Sequence, residues 1–254
     1  RNHYSHLFRH DGVGMAYCFI SDLHLQEDRP DITQAFLGFL EETATKAEKL
    51  YILGDLFEAW IGDDDQNDFI SEIKEALLVT NKTTEIFIMH GNRDFLIGPE
   101  FASSSGMKLL NDPCTQEMFG NPVLLMHGDL LCIEDVDYQS FRKTTRDPKW
   151  QEEFLSKSLK ERKEIAKDLR DMSKKATDEK KEDIMDVAHS EVVKTMQEFS
   201  VDLLIHGHTH RPNTHEITVN NGSAKRIVLG DWDQYGWYIW MDSKSCELKK
   251  FSIS

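Results

Sequence analysis

Five short motifs rich in Asp, Asn and His recur along the chain, each directly after a short apolar run. A lone Asp or His at such a place is usually a helix cap or a satisfied polar group, but a whole ordered series is not explained that way. The motifs, in chain order, are Asp22-x-His24, Gly54-Asp55, Gly91-Asn92-Arg93-Asp94, His127-Gly128-Asp129 and Gly207-His208-Thr209-His210. They supply seven imidazole, carboxylate or carboxamide groups: Asp22, His24, Asp55, Asn92, His127, His208 and His210.

Such a set of side chains matches the needs of a centre with two divalent metal ions. Two ions about 3.5–4 Å apart need roughly this number of ligands, with one carboxylate bridging them. Mixed nitrogen and oxygen donors without thiolate favour Mn²⁺, Fe²⁺ or Zn²⁺ over an all-oxygen Mg²⁺ or Ca²⁺ site. The motifs therefore predict a metal centre that activates water to hydrolyse a phosphate ester or anhydride.

The elements that position these side chains follow from the apolar runs between them. The runs are AYCFI before Ser21, LYIL before Gly54, IFIM before His90, VLLM before His127 and LLI before His206. Each has the length of a buried strand, and helical patterns fall at Asp31 to Lys46 and Asn67 to Leu78. Strands alternating with helices predict an α/β fold that carries its site at the carboxyl ends of the strands.

This alternation stops between Tyr138 and about Val187. Apolar residues recur there at helical spacing among many charges, which predicts two or more amphipathic helices inserted into the α/β body. They are Leu155, Leu159, Ala166, Leu169 and Met172. We interpret residues 15–137 and 188–254 as the core, 138–187 as a helical lid, and 1–14 as an artificial leader or a disordered arm.

The charge of the chain limits the class of molecule that the protein is expected to bind. The formal net charge of −15 over 254 residues argues against a protein that coats nucleic acid. The stretch from Arg142 to Glu182 has the opposite sign, with 14 Lys and Arg against 10 Asp and Glu. It is either a solvated helical surface or a basic cap that faces an anionic substrate or a membrane.

Other features favour a cytosolic location. No apolar run approaches the roughly 20 residues of a membrane span, and the first residues lack the apolar core of a secretory signal. The four cysteines Cys18, Cys114, Cys132 and Cys246 have no C-x-x-C pairing and suit reduced, buried thiols.

The five motifs together resemble the signature of the calcineurin-like metallophosphoesterases: D-x-H, G-D, G-N-[HR]-[DE], H and G-H-x-H. The resemblance implies two packed β-sheets flanked by helices. It also implies that Asp22, His24, Asp55 and His210 hold one metal ion, and that Asp55, Asn92, His127 and His208 hold the other. Asp55 is then the bridging ligand.

Longer stretches are similar to the UDP-2,3-diacylglucosamine diphosphatases of lipid A biosynthesis. The stretches are SDLHL (21–25), YILGDLFEAWIGDDD (51–65), HGNRDFLIG (90–98), MHGDLLC (126–132), IMDV (184–187) and LIHGHTHRP (204–212). That family hydrolyses its substrate at the α-phosphorus to UMP and 2,3-diacylglucosamine 1-phosphate. The resemblance implies two Mn²⁺ ions, a helical insertion that holds the acyl chains, and peripheral attachment to the cytoplasmic face of the inner membrane. The oligomeric state is left open, with a monomer expected.

The same resemblance implies the residues that act on the substrate. Catalytic roles fall on Asn92, Arg93, Asp94 and His208, with Asp94 orienting a metal ligand. Substrate contacts fall on Asn92, Arg93, Asp135, Ser173, Thr177, Lys180 and His208. The chain departs from the family at Thr177, where Asn is common, and at FLSKSLKERK (154–163), which is more charged than the family's apolar stretch.

Two alternative functions differ in what they require. Another calcineurin-like phosphodiesterase, acting on a nucleotide or a nucleic acid, uses the same metal motifs, although the acidic body disfavours a polynucleotide. A non-catalytic binding module on a decayed scaffold requires missing ligands, and all seven are present.

Overall fold

The computed structural model describes residues 15–179 and 186–253, with the side chains of 172–179 excepted. The strands in chain order are β1 (Ala16–Ile20), β2 (Lys49–Ile52), β3 (Glu85–Met89), β4 (Met107–Leu110), β5 (Cys114–Met118), β6 (Asn121–Leu125), β7 (Leu203–His206), β8 (Asn213–Val219), β9 (Gly222–Val228), β10 (Tyr235–Asp242) and β11 (Cys246–Ser252). The helices are α1 (Pro30–Glu42), α2 (Asp68–Thr80), α3 (Pro99–Ser104), α4 (Val136–Thr145), α5 (Pro148–Leu155), α6 (Leu159–Glu179) and α7 (His189–Glu198). The predicted leader, residues 1–14, lies outside the described residues.

The strands of the described part form two mixed sheets. One sheet has the order β11-β10-β1-β2-β3-β4, and the other has the order β5-β6-β7-β9-β8. In the first sheet β1 to β4 run parallel, and β10 joins β1 antiparallel with Ala16 opposite Asp242. In the second sheet β6, β7 and β9 run parallel. The predicted α/β fold of two packed sheets is confirmed.

The core between the sheets explains why the apolar runs are continuous rather than alternating. Strand β1 is buried along its whole length because both of its faces are covered. On the face towards the second sheet, Phe19, Tyr51 and Phe87 stack across three neighbouring strands, with ring centroids 5.1 and 5.0 Å apart. Helices α1 and α2 cover the opposite face, and α7 packs on the outer face of the second sheet. The loops that carry the predicted site therefore begin at strands of a rigid sheet that is covered on both faces.

The predicted helices match the structure to within a few residues. Helix α1 ends at Glu42, earlier than the predicted Lys46, because a short 3₁₀ turn over Ala44–Lys46 follows it. Asn67 is the N-cap of α2, and its side chain accepts the backbone N–H of Ile70. The edge strands β4, β5 and β8 escaped prediction because their exposed residues break the apolar runs.

Three helices, α4 to α6, lie where the strand rhythm stops, and the first begins at Val136, two residues before the predicted Tyr138. Asp135 and Asp147 cap α4 and α5 through their side chains. That these helices act as a lid stays a prediction.

Among the described helices, none combines the length and the apolar character needed to cross a bilayer. Within the described residues none of the four cysteines takes part in a disulfide; Cys18 and Cys132 are buried, whereas Cys114 and Cys246 are half-buried.

Helix α6 is attached to the core through Arg162, whose side chain is only 3% exposed. Its guanidinium donates to both carboxylate oxygens of Asp64. It also donates to the carbonyl oxygen of Ile61, with 2.7 Å between Nη1 and that oxygen. The preceding Asp63 accepts the backbone N–H groups of Gly98 and Phe101, at 2.9 Å each. The run of three aspartates thus contacts a buried cation and backbone amides, which gives it a structural role.

We expect Arg162→Met to destabilise the protein by about 1–3 kcal/mol, because the Ile61 carbonyl and Asp64 lose a buried donor. The neighbouring Lys163→Met is the matched control. Lys163 pairs with Asp65 at 2.9 Å but is 58% exposed, so its loss should stay within about 0.5 kcal/mol. Urea unfolding of both variants measures the difference. Equal free energies of unfolding would contradict the role given to Arg162.

Candidate metal centre

The seven predicted metal ligands all lie on loops that follow strands. Asp22 and His24 follow β1, Asp55 follows β2 and Asn92 follows β3, so the first sheet contributes four of them. The second sheet contributes His127 after β6, and His208 and His210 after β7. The site lies where the carboxyl ends of both sets of parallel strands meet, as expected for α/β sheets.

The loops hold the ligands in a strained backbone conformation. Five of the seven have a positive φ: Asp22 56°, His24 50°, Asp55 53°, His208 67° and His210 54°. Non-glycine residues in this region cost of order 1–3 kcal/mol each and persist only where neighbouring contacts enforce them. Such contacts link the loops to one another: the N–H of Asp22 donates to the carbonyl of Gly54, and that of His24 to the carbonyl of Asp55. Strain of this kind concentrates at active sites.

One group of ligand atoms surrounds the first candidate position. His24 Nε2 and His210 Nε2 face each other at 3.3 Å, and His210 Nε2 lies 3.4 Å from Asp22 Oδ1. Asp22 Oδ1 is buried and accepts no hydrogen bond from the described part of the chain. Two imidazole nitrogens that face each other and a carboxylate oxygen without a hydrogen bond are poor partners for one another. A metal ion bound between them would satisfy all three atoms, so these residues fit a metal ion.

A second group lies on the other side of Asp55. The Oδ1 atom of Asn92 is 2.9 Å from both His127 Nε2 and His208 Nδ1. Asp55 Oδ2 is 3.8 Å from His127 Nε2 and 3.9 Å from His24 Nε2, so it stands between the two groups. This placement agrees with the bridging role that the family resemblance implies for Asp55.

The charges in the cluster shift one another's pKa values. Burial lowers the pKa of His210, but Asp22 more than offsets this and raises the pKa to about 9. The pKa of His127 is likewise raised to about 9, with Asp55 as the largest opposing cause to burial. Burial raises the pKa of the Asp22 carboxyl, but His210 and the other imidazoles bring it well below its usual range. A bound cation would replace the protons on these imidazoles, so metal binding releases protons here.

Gly91 and Gly207 let the loops approach closely. A Cβ on Gly91 would lie 2.0 Å from Asp55 Oδ1, and one on Gly207 would lie 2.1 Å from Asp22 Oδ2. Both distances are shorter than any real contact, so a side chain at either position displaces a carboxylate of the cluster. The glycines beside the predicted ligands are therefore a requirement of the geometry.

Asp94 lies beneath the cluster rather than within it. Its buried carboxylate accepts the backbone N–H groups of Leu56 and Gly91, each at 2.8 Å, and that of Asp55 at 3.3 Å. It thereby ties the loop after β2 to the loop after β3. These hydrogen bonds hold the backbone of Asp55 in place; that Asp94 thereby orients a metal ligand stays a prediction.

A buried network that the sequence did not reveal attaches α4 to the site. Asp129 Oδ2 accepts the hydroxyl of Tyr138 at 2.5 Å and Arg142 Nε at 2.7 Å. Arg146 Nη2 donates to the carbonyl of Gly91 at 2.7 Å. Asp129 belonged to a recognised motif, but nothing in the sequence paired it with residues 9 and 13 positions away. Helix α4 is thus fixed to loops that carry predicted metal ligands.

A cavity of about 500 Å³ opens above the cluster. His24, Asp55, Asn92, His208 and His210 line one end of it. Apolar side chains of α4 to α6 line another part: Phe141, Trp150, Phe154, Ala166 and Leu169. The predicted metal ligands and an apolar chamber therefore belong to one continuous space.

The predicted substrate contacts fall unevenly on this cavity. Asn92, Arg93, Asp135 and His208 line it. Ser173 and Thr177 lie on α6, but their side chains are not among those described, and Lys180 lies outside the described residues. Trp232 is buried in the core, and its indole N–H donates to the carbonyl of Trp237.

Comparison with known proteins agrees with this geometry. The family model of calcineurin-like phosphoesterases matches residues 15–212, and the chain belongs to this family of metal-dependent hydrolases. It is 51% identical over 226 residues to the UDP-2,3-diacylglucosamine hydrolase of Marinobacter nauticus, with 89% of this chain and 93% of the relative covered. It is 49% identical over 235 residues to the enzyme of the same name from Pseudomonas fluorescens, with 92% and 94% covered.

We expect Gly207→Ala to abolish metal binding, because the new Cβ displaces Asp22. Gly38→Ala is the control, since a Cβ there meets nothing within 4 Å. Thermal unfolding with and without Mn²⁺ measures the effect. The unaltered protein and Gly38→Ala should gain about 2.7 kcal/mol at a metal concentration 100 times the dissociation constant, whereas Gly207→Ala should gain nothing. An equal gain in all three proteins would refute the placement of Asp22 in the centre.

Proposed function

We propose that this chain hydrolyses the pyrophosphate bond of UDP-2,3-diacylglucosamine in lipid A biosynthesis, releasing UMP and 2,3-diacylglucosamine 1-phosphate. The observation that carries the proposal is the single cavity that joins the metal cluster to an apolar chamber. A substrate with a pyrophosphate and two acyl chains needs both parts. Relatives about half identical over most of this chain carry the name UDP-2,3-diacylglucosamine hydrolase, which supports the same substrate.

The proposed centre holds two ions, which we propose are Mn²⁺. One is held by Asp22, His24, Asp55 and His210, and the other by Asp55, Asn92, His127 and His208. When bound, the ions lower the pKa of a coordinated water towards about 7 and neutralise phosphoryl oxygens. The protein's part is to fix the ligand geometry, which the strained loops and Asp94 do.

Arg93 is the proposed phosphate-binding residue. Its backbone N–H donates to Asp55 Oδ1 at 2.8 Å, and its side chain lines the cavity. This places a fixed cation beside the proposed bridging ligand, where negative charge develops during phosphoryl transfer. His208 is held neutral, because burial lowers its pKa to about 4, so it can act as a ligand or a hydrogen-bond partner without first losing a proton.

The apolar chamber is the proposed site of the acyl chains. The rings of Trp150 and Phe154 stack within it with their centroids 5.2 Å apart, and the ring centroid of Phe95 is 6.2 Å from that of Trp150. An apolar chamber of this kind suits a protein that collects a lipid substrate from a bilayer surface. We therefore propose peripheral attachment to the cytoplasmic face of the inner membrane, as a monomer.

The first test is release of UMP from UDP-2,3-diacylglucosamine in detergent with Mn²⁺. Asp55→Ala should abolish release, because both ions lose a ligand. Arg93→Ala should lower kcat by about 10²–10³, the usual effect of losing one donor to the transition state. Glu216→Gln, an exposed change on β8, is the control. Hydrolysis of bis(p-nitrophenyl) phosphate without any UMP release would retain the phosphoesterase chemistry and exclude this substrate in favour of another nucleotide or nucleic-acid diester.

A second test distinguishes the role of the apolar chamber in substrate binding from the role of the metal centre in hydrolysis. We expect Leu169→Asp to raise KM for the lipid substrate at least tenfold, because burying an unpaired carboxylate against acyl chains is unfavourable. Its rate on bis(p-nitrophenyl) phosphate should not change, since that small diester needs only the metal end. Val79 lies on α2 and is 60% exposed, so Val79→Asp should change the kinetics of neither substrate. Equal loss on both substrates would argue that Leu169 supports the fold rather than the acyl chains.

A further inference from the structure

Glu58 joins the two halves of the proposed site, although no motif singled it out. It lies three residues after Asp55, lines the cavity, and has a side chain only 22% exposed. Its Oε2 atom is 3.0 Å from His24 Nδ1, and its Oε1 atom is 3.7 Å from Arg93 Nη1. One carboxylate oxygen thus faces a proposed metal ligand, and the other faces the proposed phosphate-binding cation.

The contact with His24 determines which of its nitrogens faces the cluster. Glu58 Oε2 lies 3.0 Å from Nδ1 without the alignment of a hydrogen bond, and Nδ1 has no other hydrogen-bond partner among the described residues. When the proton of the ring lies on Nδ1, facing this carboxylate, Nε2 presents a lone pair towards Asp55 and His210. A carboxylate behind a metal-binding histidine fixes its tautomer and orientation in this way. The backbone N–H of Glu58 donates to the carbonyl of Leu25, so the carboxylate is carried by backbone tied to the loop of His24.

The contact with Arg93 restrains a long and otherwise mobile side chain. The backbone of Arg93 is fixed on Asp55 Oδ1, but its guanidinium needs a partner within the cavity to hold one direction. Glu58 is placed to be that partner.

We propose that Glu58 is a positioning residue that couples the orientation of His24 for metal binding to the orientation of Arg93 for phosphate binding. The arginine arm of this coupling rests on the proposed function, whereas the metal arm does not. Neither arm requires Glu58 to touch a metal ion or the substrate.

Two substitutions separate the arms. Glu58→Gln keeps an oxygen that can accept the Nδ1–H of His24 but removes the charge that pairs with Arg93. Glu58→Ala removes both. Glu27→Ala is the control, because Glu27 contacts Asn67 at the exposed rim and not the cluster. Thermal unfolding in EDTA establishes that each variant is folded before it is compared.

The metal arm is measured by calorimetric titration of Mn²⁺ into the metal-free proteins, without any substrate. We expect Glu58→Ala to bind Mn²⁺ about 10- to 100-fold more weakly, the usual cost of losing such a supporting carboxylate. Glu58→Gln should retain most of the affinity, and Glu27→Ala all of it. Unchanged affinity in Glu58→Ala would overturn the proposal.

The arginine arm is measured at saturating Mn²⁺ with bis(p-nitrophenyl) phosphate. Glu58→Gln should lower kcat/KM in the presence of Arg93 and have no further effect in an Arg93→Ala background, which is the sign of coupled residues in a double-mutant cycle. Additive losses would overturn the coupling. If the unaltered protein released no UMP from the lipid, the proposed substrate would fail, while the Mn²⁺ titration and the diester cycle would still decide the role of Glu58.

Discussion

The structure depends on the burial of two carboxylates, Asp22 and Asp55, at the junction of two sheets. A buried and unpaired carboxylate is costly by many kcal/mol, so the fold is stable only if cations surround these groups. Imidazoles from the second sheet supply part of that charge in the structure, with Asp22 Oδ1 3.4 Å from His210. Divalent ions, which the family implies, supply more. The unusual local features of the molecule follow from meeting this one requirement.

Three of these features form one chain of causes. Ligands from both sheets converge only if the loops turn sharply, which forces five of them into the left-handed region. Sharp turns bring backbone against carboxylate, which excludes a Cβ at Gly91 and Gly207. The turns then need external support, which Asp94 provides from below and Arg146 from α4. The helices that line the apolar chamber are thereby attached to the same loops as the metal ligands.

Much of the site could be predicted because its information is local. An apolar run followed by Asp or His indicates both a buried strand and the residue at its end, so the α/β class could be predicted and seven candidate ligands could be named in order. Asp129 with Arg142, and Asp64 with Arg162, could not be read in this way. Each pair joins charged residues of two different structural elements, and a charged residue on a helix carries no sign of being buried. Glu58 belongs with them, since its role exists only once His24 and Arg93 are adjacent.

The pairing of β1 with β10 has a consequence for how the chain folds. The central strand of the first sheet finds this neighbour more than 200 residues later, where Ala16 lies opposite Asp242. His210, which lowers the pKa of Asp22 more than any other imidazole, likewise lies almost 190 residues after it. During synthesis the first strands therefore emerge with their acidic loops uncompensated and one edge of β1 unpaired. Contacts of such long sequence separation form slowly, so the order of synthesis itself delays assembly of the site until most of the chain has left the ribosome.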